Sequence, residues 1–194
     1  MSELPRSEIS QLLSANDHHQ ELPRNVLDRV FALLYAELLQ LGADLMKTER
    51  AGHTLQPAAL VSEAYLRLAD GDRLSIHGRT HFFGIAAGAM RRILVEHARK
   101  RGALKRGAGW KRVSLSGCDE VCGQADPDVI DLDDALNRLA VLDPRMEKIV
   151  EWRVFAGLTM DEIASLLGVS RETATKYWAI ARMWLHRHFA EGTA

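Results

Sequence analysis

Apolar residues in this chain recur at spacings of three and four and almost never of two, which confines it to helical folds. Leu27, Phe31, Leu34, Leu38, Leu41 and Leu45 step by four and three, the spacing that lines one face of a helix. The pattern predicts an amphipathic helix from residue 25 to about 47. Pro57 suits a first helical position, and Leu60, Ala64 and Leu68 carry a second helix to about Ala69. After the turn-rich GDRLSIHGR, Thr80 is placed to cap a third helix, HFFGIAAGAMRRILVEHARKR, with a soft spot at Gly88. An aromatic pair early in such a helix, Phe82-Phe83, belongs in a core more often than on a surface.

The periodicity then collapses. RGALKRGAGWKRVSLSGCDEVCGQADPD holds five glycines and no sustained pattern, as a linker would. Helices resume at about 130–141, 144–156, 160–167 and 171–189. Asp143 followed by Pro144 is a cap with a pre-set first turn, and Thr159-x-x-Glu162 is a capping box. The expected fold is all-α: two small helical domains joined by a flexible linker. Its boundaries would be an extension at 1–24, a first domain at 25–101, a linker at 102–129 and a second domain at 130–194.

Charge is segregated along this frame. The net charge of −1 hides nine Arg or Lys and one acid within residues 81–112, followed by seven acids and no base within 119–134. A basic block points to a polyanion partner and an acidic one to a solvated segment. With 194 residues, 47% of them hydrophobic, the chain can build one ordinary core or two small ones. It has no run of about 18 apolar residues and its start, MSELPRSEIS, lacks the layout of a signal peptide. A cytoplasmic protein with no membrane partner is expected. Cys118 and Cys122, without neighbouring histidines, read as ordinary thiols. His77 with His81 and His186 with His188 lack a carboxylate or cysteine at metal spacing, and no phosphate loop follows a strand. Neither catalysis, nor a metal, nor a cofactor is expected.

The densest signal is MDEIASLLGVSRETATKYWAIARMWL, residues 160–185. Met160, Ile163, Ala164 and Leu167 make a buried stripe on a short helix. Gly168 sits where a left-handed residue ends a helix, Val169 can plug the junction, and Ser170 caps the next helix. Ala174, Trp178, Ala181 and Leu185 then face a core, while Arg171, Glu172, Thr175 and Lys176 point out from the N-terminal half. A helical hairpin with a solvated face would need only helix–Gly–helix. The two caps and the clustered Arg, Glu, Thr and Lys favour a helix-turn-helix, whose second helix lays its early residues against base edges.

With these segments in view, the chain resembles an extracytoplasmic-function (ECF) type bacterial sigma factor from about residue 25 to 189. ALVSEAYLRL (59–68) looks like the segment that grips the polymerase clamp helices. HFFGIAAGAMRRILVEHARKR (81–101) is similar to the segment that melts and reads the minus-ten element. LDPRMEKIVEWRVFAGLTMDEIASLLGVSRETATKYWAIARMWL (142–185) looks like the domain that reads the minus-thirty-five element. The resemblance implies two partners, promoter DNA and core RNA polymerase, the latter through the clamp helices of its largest subunit and its flap region.

It also implies site residues. Ser170, Arg171, Glu172, Thr175, Lys176 and Arg182 would meet the minus-thirty-five element. Gly88, Ala89 and Met90 lie where the family's base-reading loop falls. Arg91, Arg92, Arg99, Lys100, Arg101, Lys105 and Arg106 would supply cations to the melted strand. Leu60, Glu63, Leu66 and Arg67 would meet polymerase. One departure stands out: the family's clamp-binding segment usually carries acids, often one at the position of Ala59, yet Glu63 is the only acid between Gly52 and Ala69. Phosphorylation of Thr54 or Ser62 by a Ser/Thr kinase would add the missing charge; an anti-sigma factor is the other controlling partner expected. The alternative reading is a stand-alone helix-turn-helix regulator whose first domain senses a ligand or dimerises, which leaves the basic helix 81–101 without a role.

Overall fold

A computed structural model describes residues 8–9, 11–13, 22–46, 55–70, 75–104 and 128–191, with the side chains of 101–104 outside that description. All regular structure among the described residues is helical. Helix α1, Arg24–Leu45, starts after Pro23, whose carbonyl accepts the amides of Val26 and Leu27. Its predicted stripe is buried: Leu27, Phe31, Leu34, Leu38 and Leu45 face inward. Helix α2, Pro57–Asp70, lays Leu60, Val61, Ala64 and Leu68 against it. Helix α3, Arg79–Leu104, closes the group. Phe82 is fully buried and stands edge-on to Phe31 at 5.2 Å, which stands edge-on to Tyr65 at 5.0 Å, the arrangement aromatic quadrupoles favour.

Both ends of α3 differ from the sequence expectation. Thr80 does not cap α3. Gly78, at φ 90°, turns the chain beforehand and its carbonyl accepts the amide of Phe82 at 3.1 Å, so Thr80 falls inside the first turn. Gly88 does not interrupt α3, which runs through it without a break. The helix also continues to Leu104, three residues into the expected linker; residues 105–127, with Cys118 and Cys122, lie outside the described part.

The second group starts at α4, Val129–Leu142, where Asp128 accepts the amides of Ile130 and Asp131 in a capping box. Helix α5, Pro144–Val154, comes next, with Asp143 as cap and Pro144 in its first turn. Helices α6, Met160–Leu167, and α7, Arg171–Glu191, complete it. The two groups share one core. Helix α3 packs on α1 and α2 with one side and on α4 and α5 with the other, and Ala87, Met90, Ile93 and Leu94 belong to the same cluster as Leu132, Leu136 and Phe155. From Phe82 to Val95 only Ile85 and Arg92 escape burial. A helix with apolar residues on every side has to be sandwiched.

Candidate nucleic-acid interface

The turn between α6 and α7 is built as its residues dictate. The Thr159 hydroxyl accepts the Glu162 amide, and the Glu162 carboxylate accepts the Thr159 amide at 2.8 Å, closing the capping box. Gly168 adopts φ 64°, the left-handed region, and the Val169 amide reaches back to the Ala164 carbonyl at 3.1 Å. The Ser170 hydroxyl then caps α7 through the Thr173 amide at 3.1 Å. Ile163, Ala164, Ala174, Ala181 and Leu185 are buried, with Met160, Leu167 and Trp178 half-buried around them. Opposite, Ser170, Arg171, Glu172, Thr175, Lys176 and Arg182 are all exposed. Arg171 lies 3.4 Å from Asp161, and Lys176 lies 2.8 Å from Glu172 one turn earlier. The Thr175 hydroxyl donates to the Arg171 carbonyl. Exposed pairs of this kind contribute little and open readily. The early half of α7 therefore offers a face of donors and acceptors free to exchange partners.

Helix α3 presents a different picture. Arg92 and Lys100 are exposed, and Arg99 is half-exposed, 3.0 Å from Asp134 and 3.5 Å from Asp133. Gly88, Ala89, Met90 and Arg91, expected to meet a melted strand, are all buried in this conformation, Gly88 and Arg91 directly against α5. The reason is the partner helix. A Cβ on Gly84 would sit 2.6 Å from the Trp152 indole nitrogen, and one on Gly88 would sit 3.1 Å from a Glu151 oxygen. The glycines give α5 room to approach. Arg91 ends among Asp133, Glu147 and Glu151 at 3.2, 3.1 and 2.9 Å. Sequence reasoning distinguishes none of Gly84, Asp133, Glu147, Glu151 or Trp152. The one signal is the lack of a polar face on 82–90, which already implies a cover on both sides.

A family model for ECF sigma factors matches residues 6–191, nearly the whole chain. The chain belongs to the ECF sigma factor family. No curated protein and no solved structure matches it significantly. Membership makes it a sigma factor, directing promoter-specific transcription with core RNA polymerase and promoter DNA as partners, and sigma factors of this family are DNA-binding initiation factors rather than enzymes. No helix among the described residues is long and apolar enough to cross a membrane. No group of three potential metal ligands occurs among them either. The His77 ring stacks on His81, and the His188 ring on Trp184.

In this sigma factor the segment expected to meet polymerase is divided between core and surface. Leu60 is fully buried, a correction that comes from its place one turn before Ala64 on the inward stripe. Leu66 is 52% exposed. Glu63 and Arg67 pair with each other at 2.7 Å, and Arg67 also grips Glu96 of α3 at 2.6 Å. The Arg67 guanidinium holds the Glu96 carboxyl below the usual carboxylate range. The lone acid of the segment is thus already ion-paired, to an arginine that it shares with Glu96. Ser62 is exposed beside it, whereas Thr54 lies outside the described residues.

Proposed function

We propose that this sigma factor divides promoter reading between its two helical groups. Residues 129–191 read the minus-thirty-five element by laying the early half of α7 in the major groove; residues 24–104 open and read the minus-ten element along α3. The observation that carries the reading is the exposed set Ser170, Arg171, Glu172, Thr175 and Lys176 on a capped helix after a left-handed glycine. Arg can pair bidentately with guanine, Glu can accept from cytosine, and Thr and Lys can serve bases or phosphates. Arg92, Arg99, Lys100 and Arg101 supply cations along α3, continued by Lys105 and Arg106, with Gly88, Ala89, Met90 and Arg91 meeting an unstacked base once exposed. The test is transcription with purified core polymerase on a genomic library. Start sites sharing two elements at fixed spacing are expected, with the upstream one lost on Arg171→Ala; start sites without a shared upstream element would refute the α7 assignment.

Leu66 and the Glu63–Arg67 pair form the polymerase-facing surface in this reading, and flap contact falls to the second group. Support for control by added charge comes from Glu63, the segment's one acid, being tied up in an ion pair with Arg67. Phosphate on Thr54 or Ser62, placed by a Ser/Thr kinase, would give the surface the negative charge that basic clamp helices attract. Core-polymerase affinity compared for wild type, Thr54→Glu, Ala59→Asp and Thr54→Ala tests this. Both acidic variants are expected to bind more tightly; equal binding by wild type leaves the kinase without a role and favours an anti-sigma factor as the controlling partner.

A further inference from the structure

Arg91 is 5% exposed, yet none of the carboxylates it pairs with belongs to its own helical group. Glu147 and Glu151 come from α5 and Asp133 from α4, and Lys148 bridges both glutamates at 3.6 and 2.7 Å. The Phe155 ring lies 5.8 Å from the guanidinium. Inside a domain, such a cluster would be expected to satisfy every donor. Here it does not. Arg91 Nε is buried and lies 3.2 Å from Asp133 Oδ1 without the alignment of a hydrogen bond. A buried ion pair of imperfect geometry recovers little of its desolvation cost, and every one of these charges regains water when α3 and α5 separate. Beside it, within the core that the two groups share, Gly84 and Gly88 let Trp152 and Glu151 come close to the α3 backbone. The carboxylates also sit on the arginine where a strand phosphate would otherwise be attracted.

We propose that the α3–α5 contact is an intramolecular latch: in the free sigma factor Asp133, Glu147 and Glu151 hold Arg91 and cover the strand-reading face of α3, and promoter opening requires the two helical groups to part. This rests on the strand-reading role of α3 given above. Latch and core can be told apart, because a latch mutation separates the groups without unfolding them. Removing charge partners from buried Arg91 should shift the balance toward the parted form by about 100-fold or more.

The experiment uses the full chain with Glu147→Gln/Glu151→Gln and, independently, Gly84→Gln. The second variant leaves the charges alone, improves the helix propensity of α3 and cannot fit beside Trp152. Small-angle scattering should give wild type a radius of gyration near that of one compact body, about 16 Å, and both variants a clearly larger one, with helicity by circular dichroism unchanged. Free chain titrated with a fluorescent mixed-sequence single-stranded DNA should bind at least tenfold more tightly in both variants. Variants that stay as compact as wild type, or that both lose their helicity, overturn the latch. Variants that part but ignore the oligonucleotide keep the latch and overturn the strand-reading role of α3 instead.

Discussion

Arg171 and Lys176 leave the first two turns of α7 with about seven-tenths of their side chains exposed, each beside an exposed carboxylate. Their removal costs the fold little, since such pairs contribute at most about 1 kcal/mol. If they reach base edges, each substitution by alanine should weaken promoter binding by about 1–3 kcal/mol while leaving the melting temperature close to that of wild type. Binding of holoenzyme to promoters with and without the upstream element separates the two effects. His81 carries a second residue-scale prediction. Burial, then the neighbouring His77 and Lys148, push its imidazole below the usual histidine range. The His77 amide donates to its Nδ1 at 3.0 Å, a bond that the neutral ring accepts and the protonated ring cannot. The unfolded chain therefore binds this proton more readily than the folded one. Stability from His81 is complete above about pH 6.5, the unfolded value, and falls as pH drops through the lower folded value. Thermal unfolding at a series of pH values from neutral down to mildly acidic should show this loss, and His81→Gln should flatten it.

At the scale of elements, the legible features are the local ones. Asp143-Pro144, Thr159-x-x-Glu162, Gly168 and Ser170 place their helix ends within a residue, because each satisfies an end group a few positions away. The start of α3 departs from expectation for the same reason inverted: Gly78 bends the chain through its backbone and His81 reaches back to the His77 amide, so no Ser, Thr, Asp or Asn cap marks the site. The α6–α7 turn then makes a quantitative claim. A Cβ added to Gly168, at φ 64°, would meet nothing within 4 Å, so Gly168→Ala suffers conformational strain alone, about 1–2 kcal/mol. Thr159→Ala loses a cap, about 1 kcal/mol. Thermal unfolding of the two variants should show both losses, with Gly168→Asn milder than Gly168→Ala because asparagine tolerates the left-handed region. Equal stability of Gly168→Ala and wild type would mean that the turn relaxes into another conformation.

For the whole molecule, the division into two helical groups is readable from the lapse in periodicity, but their docking is not. It depends on Arg91 meeting Asp133, Glu147 and Glu151, partners 42 to 60 positions away, and in sequence each looks like an ordinary solvated charge. The same docking changes how the basic block behaves. Arg99 stands against Asp133 and Asp134 while the groups are together, so part of the positive charge is spent inside the free chain. Under the proposed strand-reading role, parting of the groups on a promoter would turn Arg99, Lys100 and Arg101 to nucleic acid. Each phosphate contact releases counterions, so the log–log salt dependence of promoter binding should fall by about 0.7–0.9 for every contact removed. The Arg99→Ala/Lys100→Ala/Arg101→Ala variant should therefore show a flatter slope and less permanganate reactivity around the minus-ten element. Its thermal stability should hold, because Arg99 bridges carboxylates at a half-exposed position where such contacts contribute little. A slope equal to that of wild type, together with normal opening, would place the end of α3 away from the DNA.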